Sequence, residues 1–389
     1  MAKKVTKRGN GEGTISRRKD GRWEGRLTID FDHQNGKSIR RTFYGKTRKE
    51  VQEKMEKVKA QIVTGTYVSD RKITIGEWLD TWLITYSKPN VRIATWESYE
   101  TMVRVHIKPS IGNIPLQDLR PEHLQKLYNN KLKSGRIKGG GLSPKTVGYI
   151  HTVLHMALKQ ATREQLVIRN VAELVNKPKQ KKHEITPLTL DELKGFLNAV
   201  VEHRFFVPFL LECHTGLRRG ELLGLRWQDI DFKQNTLTVK QALIRTRQGL
   251  LMSEPKTQKS RRTIPLSDEV MATLKSHKAK QSQVKLLAGK AYENADLVFC
   301  NELGHPIDPR NFTKQFARIL TNANLPVVRF HDMRHSHATM LLMLNEHPKV
   351  VQERLGHSTI AMTLDTYSHI LPGMQKQATE KISQALSNT

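Results

Sequence analysis

The sequence HDMRHSH occupies residues 331–337, and LGHS follows at residues 355–358. Residues three apart lie on the same face of an α-helix, so His331 and Arg334 are predicted to point together into one pocket. Gly356 and the residues after it are expected to turn the chain back over that pocket. A side chain that can transfer protons then lies beside a guanidinium that can hold a phosphate through two parallel hydrogen bonds.

Two further basic segments precede this stretch. TGLRRGEL occupies residues 215–222, and EPKTQKSRR occupies residues 254–262, where a hairpin is predicted. With a tyrosine at position 367, the combined segments supply arginine, lysine, histidine and tyrosine side chains. These residue types suit phosphodiester chemistry without a metal ion.

The chain carries a large excess of positive charge. Its 389 residues include 65 Lys plus Arg against 37 Asp plus Glu, which gives a formal net charge of +28. Such an excess favours a polyanionic partner, and nucleic acid is a better candidate than a membrane surface. On charge alone, the alternative is a basic but solvated surface or a ribosomal-type binding protein.

The chain has only two cysteines, Cys213 and Cys300. The sequence therefore predicts neither a disulfide framework nor a cysteine-based zinc site, and a reducing compartment fits. The first residues lack the apolar run of a signal peptide, and no apolar stretch approaches membrane-spanning length. We therefore expect an intracellular, soluble protein of two or three domains without a membrane partner.

Residues 1–65 are predicted to form a small sheet followed by a helix. Apolar and polar residues alternate over residues 22–31, as in a half-buried strand, and the pair Asn35–Gly36 supplies a hairpin turn. Ile39 and Phe43 are expected to continue the apolar face on the next strand. The opposite face is basic and hydroxyl-rich, as a DNA groove would require, although a merely solvated sheet is the alternative. The candidate DNA-contacting residues on it are Arg26, Thr28, Arg40, Thr42 and Tyr44.

Residues 73–175 are predicted to form a helical domain whose tryptophans are core residues. Helices are indicated from Thr74, over about 95–107 and 121–132, and from Ser143. A mobile basic loop is expected at 131–141, where it could lie along a DNA backbone. Its basic residues are Lys131, Lys133, Arg136 and Lys138. The lysine-rich segment 176–187 has no apolar period and is interpreted as an interdomain linker.

A third domain is predicted at residues 188–389. Leu237, Val239 and Ala242 are expected in one strand, with a return strand at 263–265 and Lys256 near the turn. The predicted helices are at about 190–200, 205–215, 219–226, 267–287, 309–322, 332–345 and 348–355. The expected fold is therefore mostly helical with small antiparallel sheets.

The motifs of the third domain, in their order along the chain, resemble those of the tyrosine recombinase, or phage integrase, family. They are TGLRRGELLGL at 215–225, WQDID at 227–231, PKT to IPL at 255–266, HDMRHS at 331–336, LGHS at 355–358 and TYSH at 366–369. A single HxxR is common by chance, but the ordered set is specific. The implied enzyme is a site-specific recombinase of DNA.

The resemblance extends to the rest of the chain. Residues 1–65 are similar to the arm-type DNA-binding domain of integrases from conjugative transposons and temperate phages of Gram-positive bacteria. Residues 73–175 resemble their helical, SAM-like core-binding domain. The implied fold is multidomain and mainly α with small antiparallel β-sheets, comprising an N-terminal three-stranded sheet plus helix, the helical domain, and an α+β tyrosine recombinase catalytic domain.

The resemblance implies a role for six side chains at one phosphodiester. Arginine pairs of this kind hold the non-bridging oxygens and offset the charge of the transition state. The nucleophile is a tyrosine that forms a 3′-phosphotyrosine, and its free pKa of about 10 means that its ionisation needs assistance. A lysine protonates the leaving 5′-oxygen, one histidine is a general base or proton carrier, and the other binds the phosphate. The six are Arg218, Arg334, Tyr367, Lys256, His331 and His357.

Several alternatives stay open at the level of residues. Arg219 competes with Arg218, and Lys259 competes with Lys256. A zinc site is disfavoured because histidines at 331, 335 and 337 cannot all face one way on a helix. Two neighbours of the motif residues are expected to support the site rather than react. They are Glu221, as a partner of a nearby arginine, and His335, from behind the pocket.

The implied reaction proceeds through a Holliday junction in a DNA-bound homotetramer and uses no cofactor or metal. The implied partners are double-stranded attachment-site DNA of core and arm types, and they extend to an excisionase and a host DNA-bending protein. The implied location is the bacterial cytoplasm, at the nucleoid. The rival functions are a DNA-binding regulator with the same fold but no catalysis, a metal-dependent nuclease, and a type IB topoisomerase.

Overall fold

The computed structural model describes residues 13–32, 36–64, 73–137, 139–180, 186–254, 261–357, 359–361, 364 and 374–387. The chain divides into two compact units, Met1–Lys181 and Lys182–Thr389. The division falls within the lysine-rich segment 176–187. The architecture is mostly helical with small antiparallel sheets, as the sequence predicts.

The first unit begins with a three-stranded antiparallel sheet in the order β1-β2-β3. Its elements are β1 (Thr14–Arg17), β2 (Trp23–Asp32), β3 (Lys37–Gly45) and the covering helix α1 (Arg48–Val63). Leu27 and Phe43 pack against Val51 and Met55 of α1, and these side chains are 0 to 8% exposed. On the other face, Thr28 pairs with Arg40, Arg26 with Thr42, and Glu24 with Tyr44. The basic and hydroxyl-bearing face is therefore confirmed, and its five predicted residues are exposed.

The prediction for Ile39 was wrong. Its side chain is 41% exposed and does not join the cluster that Leu27 and Phe43 form with α1. The register between β2 and β3 also shifts between Thr28 and Asp30. Ile39 is paired with Asp30 instead of Ile29. The bulge adds one unpaired residue to β2 and leaves the alternation along β3 unchanged. Ile39 is exposed because the apolar cluster under α1 does not reach it.

The remainder of the first unit is a helical bundle. Its helices are α2 (Ile75–Thr81), α3 (Ile93–Thr101), α4 (Lys108–Ile111), α5 (Pro121–Ser134) and α6 (Pro144–Arg163), with π-helical turns at Trp82–Ser87 and Met102–Ile107. Thr74 and Glu77 form a reciprocal cap at the start of α2, which begins where the sequence indicates a helix. Trp78 and Trp82 are 3% and 5% exposed, which confirms them as core residues, and the Trp78 indole donates to the Ala157 carbonyl at 2.9 Å.

The expected loop at residues 131–141 is shorter than predicted. Helix α5 continues through Ser134, so Lys131 and Lys133 lie on a helix. The following turn is bonded through its backbone, with Arg136 N donating to Gly140 O at 2.9 Å. Lys133 and Arg136 are exposed, and Lys138 lies outside the described residues. The loop was predicted too long because lysine is a good helix former, so the lysines at its start extend α5 instead.

The second unit contains one aromatic and aliphatic core. Its helices are α7 (Leu190–Ala199), α8 (Phe206–Thr215), α9 (Arg219–Leu223), α10 (Asp268–Ala288), α11 (Pro309–Asn322), α12 (Phe330–Met343), α13 (Pro348–Leu355) and α14 (Met374–Ser387). Phe330, at the start of α12, packs edge-on against Phe312 and Phe316 with ring centroids 5.1 and 5.3 Å apart. This packing fixes the N-terminal end of the helix that carries the HDMRHSH sequence.

The strands of the second unit form two sheets. They are β4 (Ile230–Asp231), β5 (Thr236–Val239), β6 (Ala242–Thr246), β7 (Gly249–Ser253) and β8 (Arg262–Pro265). β8 returns against β5 as expected, with Ile264 opposite Leu237. Ala242 was placed wrongly, because it begins a separate β6-β7 hairpin rather than extending β5. Apolar alternation does not distinguish one strand from two that are separated by a short break.

None of the helices in the described part of the chain is both long and apolar enough to cross a lipid bilayer.

Candidate active site

Helix α12 presents the two side chains that the sequence singled out. The helix begins after Arg329, whose backbone N–H and guanidinium both donate to the Asp332 carboxylate at 2.8 to 3.0 Å. Arg334, one turn further, is 2% exposed and is among the largest fully buried side chains. His331 reaches the surface on the same face. Partial burial, and then the charge of Arg334, lower the pKa of His331 below 6.5.

Arg334 joins three segments that are distant in sequence. Its Nη1 donates to the Gly216 carbonyl at 2.8 Å, and its Nη2 donates to the Leu355 carbonyl at 2.6 Å. Burial, reinforced by the nearby guanidinium of Arg218, lowers the pKa of Arg334 to about 9. The side chain is therefore still protonated at neutral pH. The two carbonyls fix the plane of the guanidinium from opposite segments.

Gly216 provides one of these carbonyls because of its backbone conformation. It ends α8 in the left-handed region, with φ +59°. A Cβ at this position would lie 2.8 Å from the His337 ring and 2.9 Å from Leu355. Only glycine fits without displacement of these neighbours.

Arg218 lies just before α9 and faces the same site. Its guanidinium donates to Glu221 at 2.8 Å and to the Gly356 carbonyl at 3.2 Å, while its backbone N–H donates to Glu221 at 3.0 Å. The side chain is 40% exposed, so part of the guanidinium is open to a ligand. This geometry favours Arg218 over its exposed neighbour Arg219 as the side chain that contacts the Gly356 turn.

Glu221 is confirmed as a structural partner of arginine, and it has two of them. Its second oxygen accepts a hydrogen bond from Arg262 at 2.8 Å. Burial alone would raise the pKa of Glu221, but the bonds and charges of Arg262 and Arg218 lower it to about 2. Glu221 is therefore an anion that cannot supply a proton near neutral pH. It fixes the orientation of both guanidinium groups.

Arg262 was assigned no role from the sequence. It is 9% exposed, and its Nε donates to the Arg354 carbonyl at 2.7 Å. The sequence carries one signal for this burial: Arg262 lies two positions before Ile264, so both side chains are on the core-facing side of β8. From this alternation with Ile264, the sequence could have predicted that Arg262 points inward and has buried polar partners.

His357 directly follows the turn that closes α13. Gly356 makes that turn in the left-handed region, with φ +67°. The half-buried imidazole of His357 has its pKa lowered to about 3 by burial and by Arg334 and Arg218. His335 packs edge-on against His331 with ring centroids 5.0 Å apart, which confirms its predicted supporting position, and burial with His331 lowers its pKa to about 4. All three rings are neutral at pH 7.

His337 points away from this group. Its Nδ1 donates to the Cys213 carbonyl at 2.8 Å, and its Nε2 accepts from Arg354 at 3.3 Å. The histidines of α12 thus diverge, as the helical geometry predicted. Among the residues that the structure describes, no three His, Cys, Asp or Glu side chains form a group that could hold a metal ion.

Glu212 was also missed. It is fully buried on α8, and neither carboxylate oxygen has a hydrogen-bond partner among the described residues. Burial raises the pKa of Glu212 well above its usual range, although Arg334 opposes the shift. A protonated Glu212 leaves the cationic character of the arginine group intact. No pattern in the apolar sequence of α8 pointed to it.

The structure thus brings together four of the six predicted catalytic residues, namely Arg218, His331, Arg334 and His357. Lys256 and Tyr367 lie outside the described residues. Lys256 precedes Arg262 by six positions in the sequence, and Tyr367 follows His357 by ten. The arrangement that is described offers cationic donors and neutral imidazoles to a tetrahedral anion such as a phosphodiester.

Comparison with known proteins agrees with this site. Residues 164–373 match the family described as "Phage integrase family", and residues 74–132 match "Phage integrase, N-terminal SAM-like domain". A protein of Caldanaerobacter subterraneus described as "Tyrosine recombinase XerC-like" is 34% identical over 94% of this chain and 97% of its own length. The "ICEBs1 integrase" of Bacillus subtilis is 23% identical over 96% of this chain and all of its own.

Two solved structures share the fold. The Tn1549 transposon integrase, in complex with transposon right-end DNA, superposes with a TM-score of 0.67 at 24% identity and covers 80% of this chain and 100% of its own. A lambda integrase tetramer bound to a Holliday junction has a TM-score of 0.58 at 18% identity and covers 93% of this chain and 96% of its own. The extent of the family match and of the full-length relative shows that this chain belongs to the phage integrase family, that is, to the tyrosine-type site-specific DNA recombinases.

Proposed function

We propose that Arg218, Arg334, His331 and His357 bind one scissile phosphodiester, that Lys256 protonates its leaving group, and that Tyr367 is the nucleophile. One observation carries the proposal. Arg334 is hydrogen-bonded to the carbonyls of residues 216 and 355, and Arg218 to the carbonyl of residue 356. The segments around positions 216, 334 and 355 therefore form one cationic site, although the first and last are more than a hundred residues apart in the sequence.

The proposed cleavage step exchanges one phosphate ester bond for another and so conserves the energy of the phosphodiester. The phenol oxygen of Tyr367 attacks phosphorus and loses its proton, and the bond from phosphorus to the 5′-oxygen breaks. The departing 5′-oxygen takes a proton from Lys256, which leaves a 3′-phosphotyrosine and a free 5′-hydroxyl. His331 accepts and returns protons across the two steps, for which its neutral ring at pH 7 is suited.

The proposed religation step reverses this chemistry on another strand. The 5′-hydroxyl of a second DNA strand attacks the phosphotyrosine and releases Tyr367, so no nucleotide cofactor is consumed. The two arginines stabilise the additional negative charge that develops on the phosphate oxygens in both directions. Two such exchanges create and resolve a Holliday junction.

We further propose a division of labour along the chain. Arm-type DNA is bound by residues 1–65. The core site is bound by two domains, residues 73–175 and 188–389, which are joined by the linker at 176–187. The exposed face at Arg26 and Arg40 supports the first part. A DNA-bound homotetramer is supported by the lambda integrase assembly on a Holliday junction. In this proposal the protein acts on the bacterial chromosome in the cytoplasm, assisted by an excisionase and a host DNA-bending protein.

The test is a single-turnover reaction on a duplex whose nick traps the covalent intermediate. The wild-type chain should form a protein–DNA adduct that withstands denaturant, and Tyr367→Phe should form none while it still binds the duplex. Tyr292→Phe is the matched control, because it removes a phenol whose oxygen lies 3.3 Å from Cys300 in the same unit. The control should form adduct at the wild-type rate.

Other outcomes would favour other functions. A wild-type chain that binds DNA without forming adduct would be a regulator. Cleavage that EDTA stops, with no covalent protein, would identify a metal-dependent nuclease. Adduct formed equally by Tyr367→Phe would place the nucleophile at another residue.

A further inference from the structure

Arg262 makes a second connection between Glu221 and the end of α13, beside the one that Arg218 makes to the Gly356 carbonyl. Its Nη2 donates to Glu221 at 2.8 Å, and Glu221 in turn accepts from Arg218 at 2.8 Å. Its Nε donates to the Arg354 carbonyl at 2.7 Å, two residues before Gly356. The guanidinium therefore spans from the Arg218–Glu221 pair to the end of α13.

Arg262 also lies tightly against the turn that precedes His357. A Cβ at Gly356 would be 3.1 Å from both Cδ and Nη1 of Arg262. The Arg262 and Glu221 side chains are 6% and 7% exposed, so this ion pair is shielded from water. A buried pair with several satisfied donors is rigid, and removal of one partner leaves an uncompensated charge.

We propose that Arg262 is a positioning residue for DNA strand cleavage, which it serves by holding Glu221, and through it Arg218, in register with the Gly356–His357 turn. The inference rests on the proposed function of Arg218 and His357. Two of its hydrogen bonds go to Glu221 and to the Arg354 carbonyl, so the role that we assign to it is to position these groups. Its two bonds use different nitrogens of one planar group, a geometry that lysine cannot reproduce.

The test compares Arg262→Met, Arg262→Lys and Glu221→Gln with the wild-type chain. We measure the rate of adduct formation at saturating protein on the nicked duplex. The dissociation constant for the intact duplex is measured separately, with Tyr367→Phe added to each chain so that the DNA is not cleaved. Arg262→Met should slow adduct formation about a hundredfold, as expected for a misplaced catalytic group, while the dissociation constant changes by less than about threefold. Arg262→Lys should recover part of the rate, because one of the two bonds can re-form.

A double variant tests whether Arg262 acts through Glu221. Arg262→Met combined with Glu221→Gln should be no more than about threefold slower than the slower single variant, because both changes break the same connection. Multiplicative losses would overturn the inference. Arg204→Met, which removes an arginine that is 52% exposed and ion-paired with Glu302 at 3.0 Å, is the control for loss of one positive charge and should react as wild type.

The outcomes separate this inference from the proposed function. A wild-type chain without adduct would refute the proposed function. A reactive wild-type chain with an Arg262→Met variant of equal rate would refute the positioning role alone. If Arg262→Met does not fold, Arg262→Lys decides, and a rate equal to wild type together with an unchanged dissociation constant would overturn the inference.

Discussion

Replacement of Gly216 by alanine tests whether backbone carbonyls hold the active site together. Alanine must adopt the left-handed conformation with φ +59°, which costs about 1–2 kcal/mol. Its Cβ would also lie 2.8 Å from the His337 ring and 2.9 Å from Leu355, and such overpacking costs about 1–3 kcal/mol. We therefore expect a loss of about 2–5 kcal/mol, which lowers the melting temperature of a unit of this size by about 4–20 °C.

The substitution should also slow cleavage. The Gly216 carbonyl accepts from Arg334 at 2.8 Å, so relief of the clash moves the atom that fixes the guanidinium. We expect adduct formation to fall about tenfold or more, measured at a temperature where the variant is folded. Gly289→Ala is the control: it has φ +54°, and no described heavy atom lies within 4 Å of its added Cβ. It should lose stability but keep its rate. Equal cleavage rates in the two variants would refute the reasoning.

Two further predictions concern acidity and DNA contact. The pKa values of His335 and His357 are lowered to about 4 and 3 in the folded chain, so the unfolded chain binds more protons below pH 6.5. Denaturation at pH 5 should therefore show a free energy of unfolding about 1–2 kcal/mol lower per histidine than at pH 7. A His335→Gln, His357→Gln double variant with an undiminished pH dependence would contradict this. Arg40→Ala should weaken binding of arm-type DNA and reduce the salt slope by about one, whereas Arg41→Ala, on the opposite face and over the Phe43 ring at 5.2 Å, should leave the salt slope unchanged.

The helical framework was predictable because its signals are local. Thr74 with Glu77 and Thr189 with Glu192 mark helix starts through reciprocal caps, and both caps are formed. Apolar residues at helical spacing likewise identified the buried face of α6. The four candidate catalytic positions that the structure describes could be chosen because ordered motifs resemble a known family. Their chemistry then followed from residue type.

What the sequence could not supply depends on non-local geometry. The exposure of Ile39 depends on how far the apolar cluster under α1 extends, and the break before Ala242 depends on which neighbour each strand pairs with. The burial of Arg262 and Glu212 reflects packing between segments that are distant along the chain. A local pattern indicates which face of a strand or helix is buried, but it does not indicate which ion pairs that face forms in the folded protein.

The attachment of Arg334 to main-chain oxygens has an evolutionary consequence. Every amino acid carries a carbonyl, so exchange of the side chains at the end of α13 does not remove the acceptor at position 355. What would displace it is an insertion or deletion within α13, since each residue added to a helix rotates its end by about 100°. Descendants of this sequence should therefore drift freely in the identity of many surface residues there while tolerating few insertions or deletions.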